Sequence, residues 1–111
     1  MSRTWDNVTK ETIGAGILTA LKELAPRSAL VLKPRPPGAA GQIVYHIKTR
    51  SDSEPLGVLQ FENTDLGVNV RGQHRRGERS ALTVPRPVDR ITAEWAAEIV
   101  RDFWHCVERS L

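Results

Sequence analysis

The chain is 111 residues long, with 40% hydrophobic and 26% charged positions. That is the makeup of one ordinary globular domain, and residues 1–111 are taken as a single unit. Its one cysteine, Cys106, cannot close an internal disulfide, and no run reaches the ~20 apolar residues of a membrane span. The segment from Met1 to Lys10 lacks the charged-then-apolar order of a secretory signal, so a cytoplasmic protein without membrane contact is expected.

From Asp6 to Ala25, the residues Ile13, Ile17, Leu18, Ala20, Leu21, Leu24 and Ala25 fall on one side of a helical wheel, the stripe of a core-facing helix. Asp6 or Thr9 can cap its first turn, and Pro26 stops it. Gly14 and Gly16 each weaken the helix by roughly 1 kcal/mol relative to Ala, so packing has to hold it, and small residues there let its backbone approach a neighbour.

The period then shortens to two. Ser28 to Lys33 is a short apolar run that ends at Pro34, Pro36, Pro37 and Gly38. In Gln42 to Arg50, Ile43, Tyr45, Ile47 and Thr49 point one way and Gln42, His46, Lys48 and Arg50 the other, with Val44 breaking the pattern. Leu56 to Glu62 sets Gly57, Leu59 and Phe61 against Val58, Gln60 and Glu62. After a turn at Asn63, Thr64 and Asp65 the next strand sends Leu66, Val68 and Val70 inward, and a last strand from about Arg79 to Val84 offers Leu82 and Val84 to the same side before Pro85 and Pro87.

Beyond Thr92, a good N-cap, the residues Ile91, Trp95, Ala96, Ile99, Val100, Phe103, Cys106 and Val107 share half a wheel, with Trp104 at its border. Helix, about five short strands and helix make an α+β two-layer sandwich: an antiparallel meander with both helices packed on one face.

Catalytic and metal chemistry find little footing. Cys106 and His105 are adjacent, and successive helical residues diverge by about 100°, so they do not meet; Cys106 falls with the apolar residues and reads as core packing. His46 lies on a strand's solvated side, His74 in a loop and His105 on a helix's polar side, which leaves no convergent ligand set, so neither metal nor cofactor is expected. Gly14-Ala15-Gly16 lacks the preceding strand and the Gly-Lys-Ser/Thr ending of a phosphate loop. No Ser-His-Asp spacing or nucleophile elbow gives a reason to expect an enzyme.

Two features point to binding. The net charge of +3, from sixteen Lys and Arg against thirteen Asp and Glu, is concentrated between residues 71 and 79, where Arg71, Arg75, Arg76 and Arg79 stand against Glu78 alone. With His74 and flanking glycines this reads as a polar hairpin tip whose guanidiniums fork onto carboxylates or phosphates. The second feature is the uncovered sheet face, where Val44, Val58, Ala81 and Thr83 interleave with Gln42, His46, Lys48, Gln60, Asn69, Arg71 and Arg79, close in composition to a non-obligate protein interface. Lys48 and Arg50 extend the basic surface beside the hairpin.

The expected function is therefore a non-catalytic protein-binding module, such as an adaptor, inhibitor, immunity partner or chaperone-like subunit. The alternative is a nucleic-acid-binding accessory protein using the same hairpin on phosphates. Self-association through an edge strand or the open face is a further expectation.

Overall fold

The computed structural model describes residues 5–35, 42–49, 54–74, 79–82 and 86–109, of which 79–82 enter through their backbone pairing. An N-terminal helix, an open antiparallel sheet and a C-terminal helix make up the α+β architecture. The helices are α1 (Asn7–Leu24) and α2 (Ala93–Arg109); the strands are β1 (Leu30–Arg35), β2 (Ile43–Thr49), β3 (Gly57–Thr64), β4 (Gly67–His74) and β5 (Arg79–Leu82). Sheet order follows chain order, with every neighbour antiparallel. About five short strands were expected, and four of those observed are six to eight residues long. The fifth is a four-residue edge piece, and its pairing with β4 shifts register between Arg71 and Gly72. Val84 and Thr83 lie outside the described residues.

Local chemistry accounts for the ends of the helices. Asp6 caps α1: its Oδ1 accepts from Thr9 N at 2.7 Å and its Oδ2 from the Thr9 hydroxyl at 2.9 Å. Pro26 then turns the chain through a single 3-10 turn, Ala25–Arg27. Thr92 Oγ1 accepts from Trp95 N at 3.1 Å to cap α2. No helix among the described residues is long and apolar enough to cross a membrane.

One core lies between the helices and one sheet face. It joins Ile13, Ile17 and Ala20 of α1 to Leu30, Leu32, Ile47, Leu59, Phe61, Val68 and Val70 of the sheet, and to Ala96, Ala97, Ile99, Val100, Phe103, Trp104 and Val107 of α2. The Phe103 ring lies over Gly57 so closely that a Cβ there would stand 2.8 Å from its Cζ. Trp95 meets Phe61 edge to face, with ring centroids 6.1 Å apart. Trp104, expected at the margin of the apolar arc, is 1% exposed because α1 runs alongside it. Cys106, expected in the core, is only half-buried.

Three further expectations are corrected. Leu18 and Leu66, read as inward-facing, are 53% and 79% exposed. Leu66 sits in a two-residue turn with Asp65, one position earlier than the strand resumes at Gly67, whose φ of 122° suits glycine. β1 does not stop before Pro34 but runs through it to Arg35; an edge strand accepts proline where the missing N–H would face away from its only partner.

The two helical glycines play different parts. A Cβ on Gly16 would fall 2.2 Å from the Ala93 carbonyl oxygen and 2.8 Å from Ala96 Cβ, whereas one on Gly14 would meet nothing within 4 Å. Gly14→Ala should therefore stabilise the fold by about 1 kcal/mol through helix propensity, while Gly16→Ala should cost about 1–3 kcal/mol through overpacking. Urea titrations of the two variants, read by circular dichroism, check the opposite signs. In the same assay Phe103→Ala should cost about 3–5 kcal/mol; a loss below about 1 kcal/mol, the size of a surface effect, would contradict the seating of α2 on the sheet.

Candidate functional site

The pleat decides which side chains stand on the face away from the helices. Core residues in β1–β4 alternate with Val31, Lys33 and Arg35, with Val44, His46 and Lys48, with Val58, Gln60 and Glu62, and with Asn69, Arg71 and Gln73. The pairing register aligns these across the strands. Lys33, His46, Val58 and Gln73 form one cross-strand row, continued by Arg79 along the backbone, and Arg35, Val44, Gln60 and Arg71 form the next.

This face is basic and unpaired. Lys33, Arg35, Lys48 and Arg71 make no salt bridge among the described residues. Glu62, the one carboxylate among the described residues of this face, accepts a hydrogen bond from the Gln42 amide. With Gln60, Asn69 and Arg71 these two residues line a polar dip of about 50 Å³, room for a few waters. The half-buried Val31, Val44 and Val58 give the face apolar patches between the charges.

On the helix side, by contrast, Arg101 is matched by two carboxylates. Arg101 places Nε 2.8 Å from Glu23 Oε2 on α1 and Nη1 3.2 Å from Glu94 Oε1 on its own helix. These hydrogen bonds, first to Glu23 and then to Glu94, hold the guanidinium's pKa above its ordinary value.

His46 occupies the middle of the basic rows. It stands directly across from Lys33 on β1 and Val58 on β3. Its pKa lies below the ordinary 6.5, chiefly through burial and further through the charges of Arg35 and Lys48.

The residues singled out from sequence divide. His46, Lys48 and Arg71 come together on the open face, joined by Lys33 and Arg35, which sequence reasoning missed although they alternate with Leu30 and Leu32. His74 does not belong there: it is the last residue of β4, paired with Gly57 and 4% exposed on the core side, where a loop had been expected. The inward alternation of Val68 and Val70 continues through Gly72 to His74, the signal that would have placed it. Arg50, Arg75 and Arg76 lie outside the described residues, and Arg79 is described through its backbone.

A second polar cluster lies in a cleft of about 300 Å³ where the ends of α1 and α2 meet. The Ser28 hydroxyl donates to Glu108 Oε2 at 2.9 Å, and His105 Nδ1 lies 3.4 Å from Glu108 Oε1. Here the carboxylate stands between hydroxyl and imidazole, so the histidine is not placed to take the serine proton, as nucleophilic catalysis needs. No group of three or more His, Cys, Asp or Glu suited to a metal ion converges among the described residues. Comparison of the chain with protein-family models, curated protein sequences and solved structures finds no match.

His46 gives the free protein a pH signature. With its folded pKa below the unfolded value, the unfolded chain binds more protons between the two. The stabilising contribution is thus complete above pH 6.5 and is lost as pH falls through the folded value. Stability of the wild type should fall over that window relative to His46→Gln, and urea midpoints across a pH series test it; parallel curves for the two proteins would remove His46 from the pH dependence.

Proposed function

We propose that the chain is a non-catalytic binding module, acting as an adaptor, inhibitor, immunity partner or chaperone-like subunit, that takes an acidic protein surface on its open sheet face. The observation that carries this is the gathering of Lys33, Arg35, Lys48 and Arg71 on one uncovered face with no salt bridge among the described residues. Like charges held at fixed spacing on a rigid sheet repel, and a surface carrying carboxylates relieves that repulsion while the field steers its approach. Val31, Val44 and Val58 add the apolar contact that protein interfaces combine with polar groups.

The same cations could meet phosphates. Against nucleic acid stands the orientation of the aromatics: Phe61 is wholly buried and Tyr45 packs against the core, so the described part of the open face has no ring on which a base could stack. Self-association through a strand edge is opposed by Lys33, Pro34 and Arg35 on β1, the residue types with which natural edges resist pairing.

The test uses the double variant Lys48→Glu/Arg71→Glu, whose substitutions leave the core untouched. A partner captured from source cells by the wild type, retained after nuclease treatment and lost by the double variant is the expected result. Surface kinetics with that partner should show slower association of the variant, a gentle salt dependence, and recovery when an acidic partner residue is changed to Lys. Loss of all capture after nuclease, with a salt slope of about −0.9 per phosphate neutralised on a duplex, would replace this function with nucleic-acid binding. Equal capture by wild type and variant would remove the open face from either role.

A further inference from the structure

We propose that the corner of the open face centred on His46 is an anion site whose occupation is coupled to uptake of a proton by the imidazole. This rests on the view of the open face as the binding surface and adds its regulation: the partner's anionic groups are held more tightly as pH falls.

The geometry comes from the register. On β1, Lys33 stands directly across from His46 and Arg35 two residues further along; on β2, Lys48 is two residues away on the same side; on β3, the neighbours are Val58 and Gln60, neither of which ionises. Among the described residues, the carboxylate on this face, Glu62, belongs to the row of Gln42 and already accepts from that amide. Among the described residues, the charges that act on His46 are the cations Arg35 and Lys48, with Lys33 directly across from it.

Two consequences follow. Without an anion the imidazole stays neutral near pH 7, since burial and then Arg35 and Lys48 disfavour its charged form. An anion seated among Lys33, Arg35 and Lys48 cancels the repulsion that keeps the proton off, and the imidazolium becomes a further donor to it. Thermodynamic linkage makes the effect reciprocal: if the anion raises the proton affinity of His46, protonation raises the affinity for the anion by the same factor. A carboxylate pair or a phosphoryl group would satisfy this chemistry.

The experiment follows the His46 ring by NMR from about pH 8 to about pH 5.5, a range above the side-chain titration of free glutamate. Spectra are taken for the free protein, with inorganic phosphate and with poly-L-glutamate, and poly-L-glutamate affinity is measured for the wild type and His46→Gln. Both anions should raise the His46 midpoint, and wild-type affinity should tighten toward acid by about tenfold for each unit of that rise. The affinity of His46→Gln for poly-L-glutamate should lose the tightening toward acid that the wild type shows.

A midpoint that neither anion moves overturns the inference, as does a variant that keeps the wild-type pH dependence. If poly-L-glutamate binds without moving the midpoint, the proton coupling fails while the acidic-protein function stands. If phosphate raises the midpoint but poly-L-glutamate does not bind, the anion site stands and the acidic-protein function fails.

Discussion

The contact between Gly16 and the start of α2 is the constraint on which the rest of the molecule depends. With the Ala93 carbonyl and Ala96 Cβ inside the space that a Gly16 side chain would need, the two helix backbones meet almost without intervening atoms. That closeness lets α1 and α2 form one continuous layer and present Ile13, Ile17 and Ala20 beside Val100 and Phe103 to the same sheet face. Gly57 repeats the device one layer down by leaving room for the Phe103 ring. Close-packed interiors have little slack, so these bare backbone sites decide how deep each neighbour can sit.

Covering only one face has a direct consequence for the other. Each sheet strand sends alternate residues to opposite sides, so every residue recruited to the core commits its chain neighbours to solvent. Lys33 is outward because Leu32 is inward, and His46 and Lys48 flank the fully buried Ile47. The antiparallel register then brings residues distant in the chain, such as Arg35 and Arg71, into one row through Val44 and Gln60. Composition of the open face is therefore tied to the packing of the closed one.

Much of this was legible in the sequence where periodicity is regular. The apolar arc of α2, the caps at Asp6 and Thr92, and the alternation in β2 and β3 follow from local rules that the tertiary structure reinforces. Local rules failed where two of them competed. Glycine before His74 resembles a turn signal, yet Gly72 keeps its place in the strand and His74 is carried into the core. Proline resembles a stop, yet Pro34 lies on an edge. Gly14 and Gly16 are indistinguishable by propensity; a neighbouring helix close to only one of them separates their roles. The basic face was half visible: His46, Lys48 and Arg71 follow from alternation, while the joining of Lys33 and Arg35 to them needs the register.

Electrostatic matching differs between the two sides in a way that net charge conceals. A surplus of +3 over 111 residues is small, but it is not spread evenly. Around Arg101 the helix layer satisfies its charges internally, with Glu23 and Glu94 converging on one guanidinium. Surface ion pairs of this kind contribute little to stability, about 0–1 kcal/mol, but they neutralise the guanidinium locally. On the sheet face the register gathers Lys33, Arg35, Lys48 and Arg71, and the one carboxylate among the described residues there, Glu62, is occupied by an amide. A field from such a face extends about 8 Å at physiological ionic strength, beyond the reach of a hydrogen bond. Under the proposed function, the approach of an acidic surface would be oriented before contact by the face that the helices leave open. If the proposed coupling holds, protonation of the imidazole at its centre would strengthen that attraction without any change of fold.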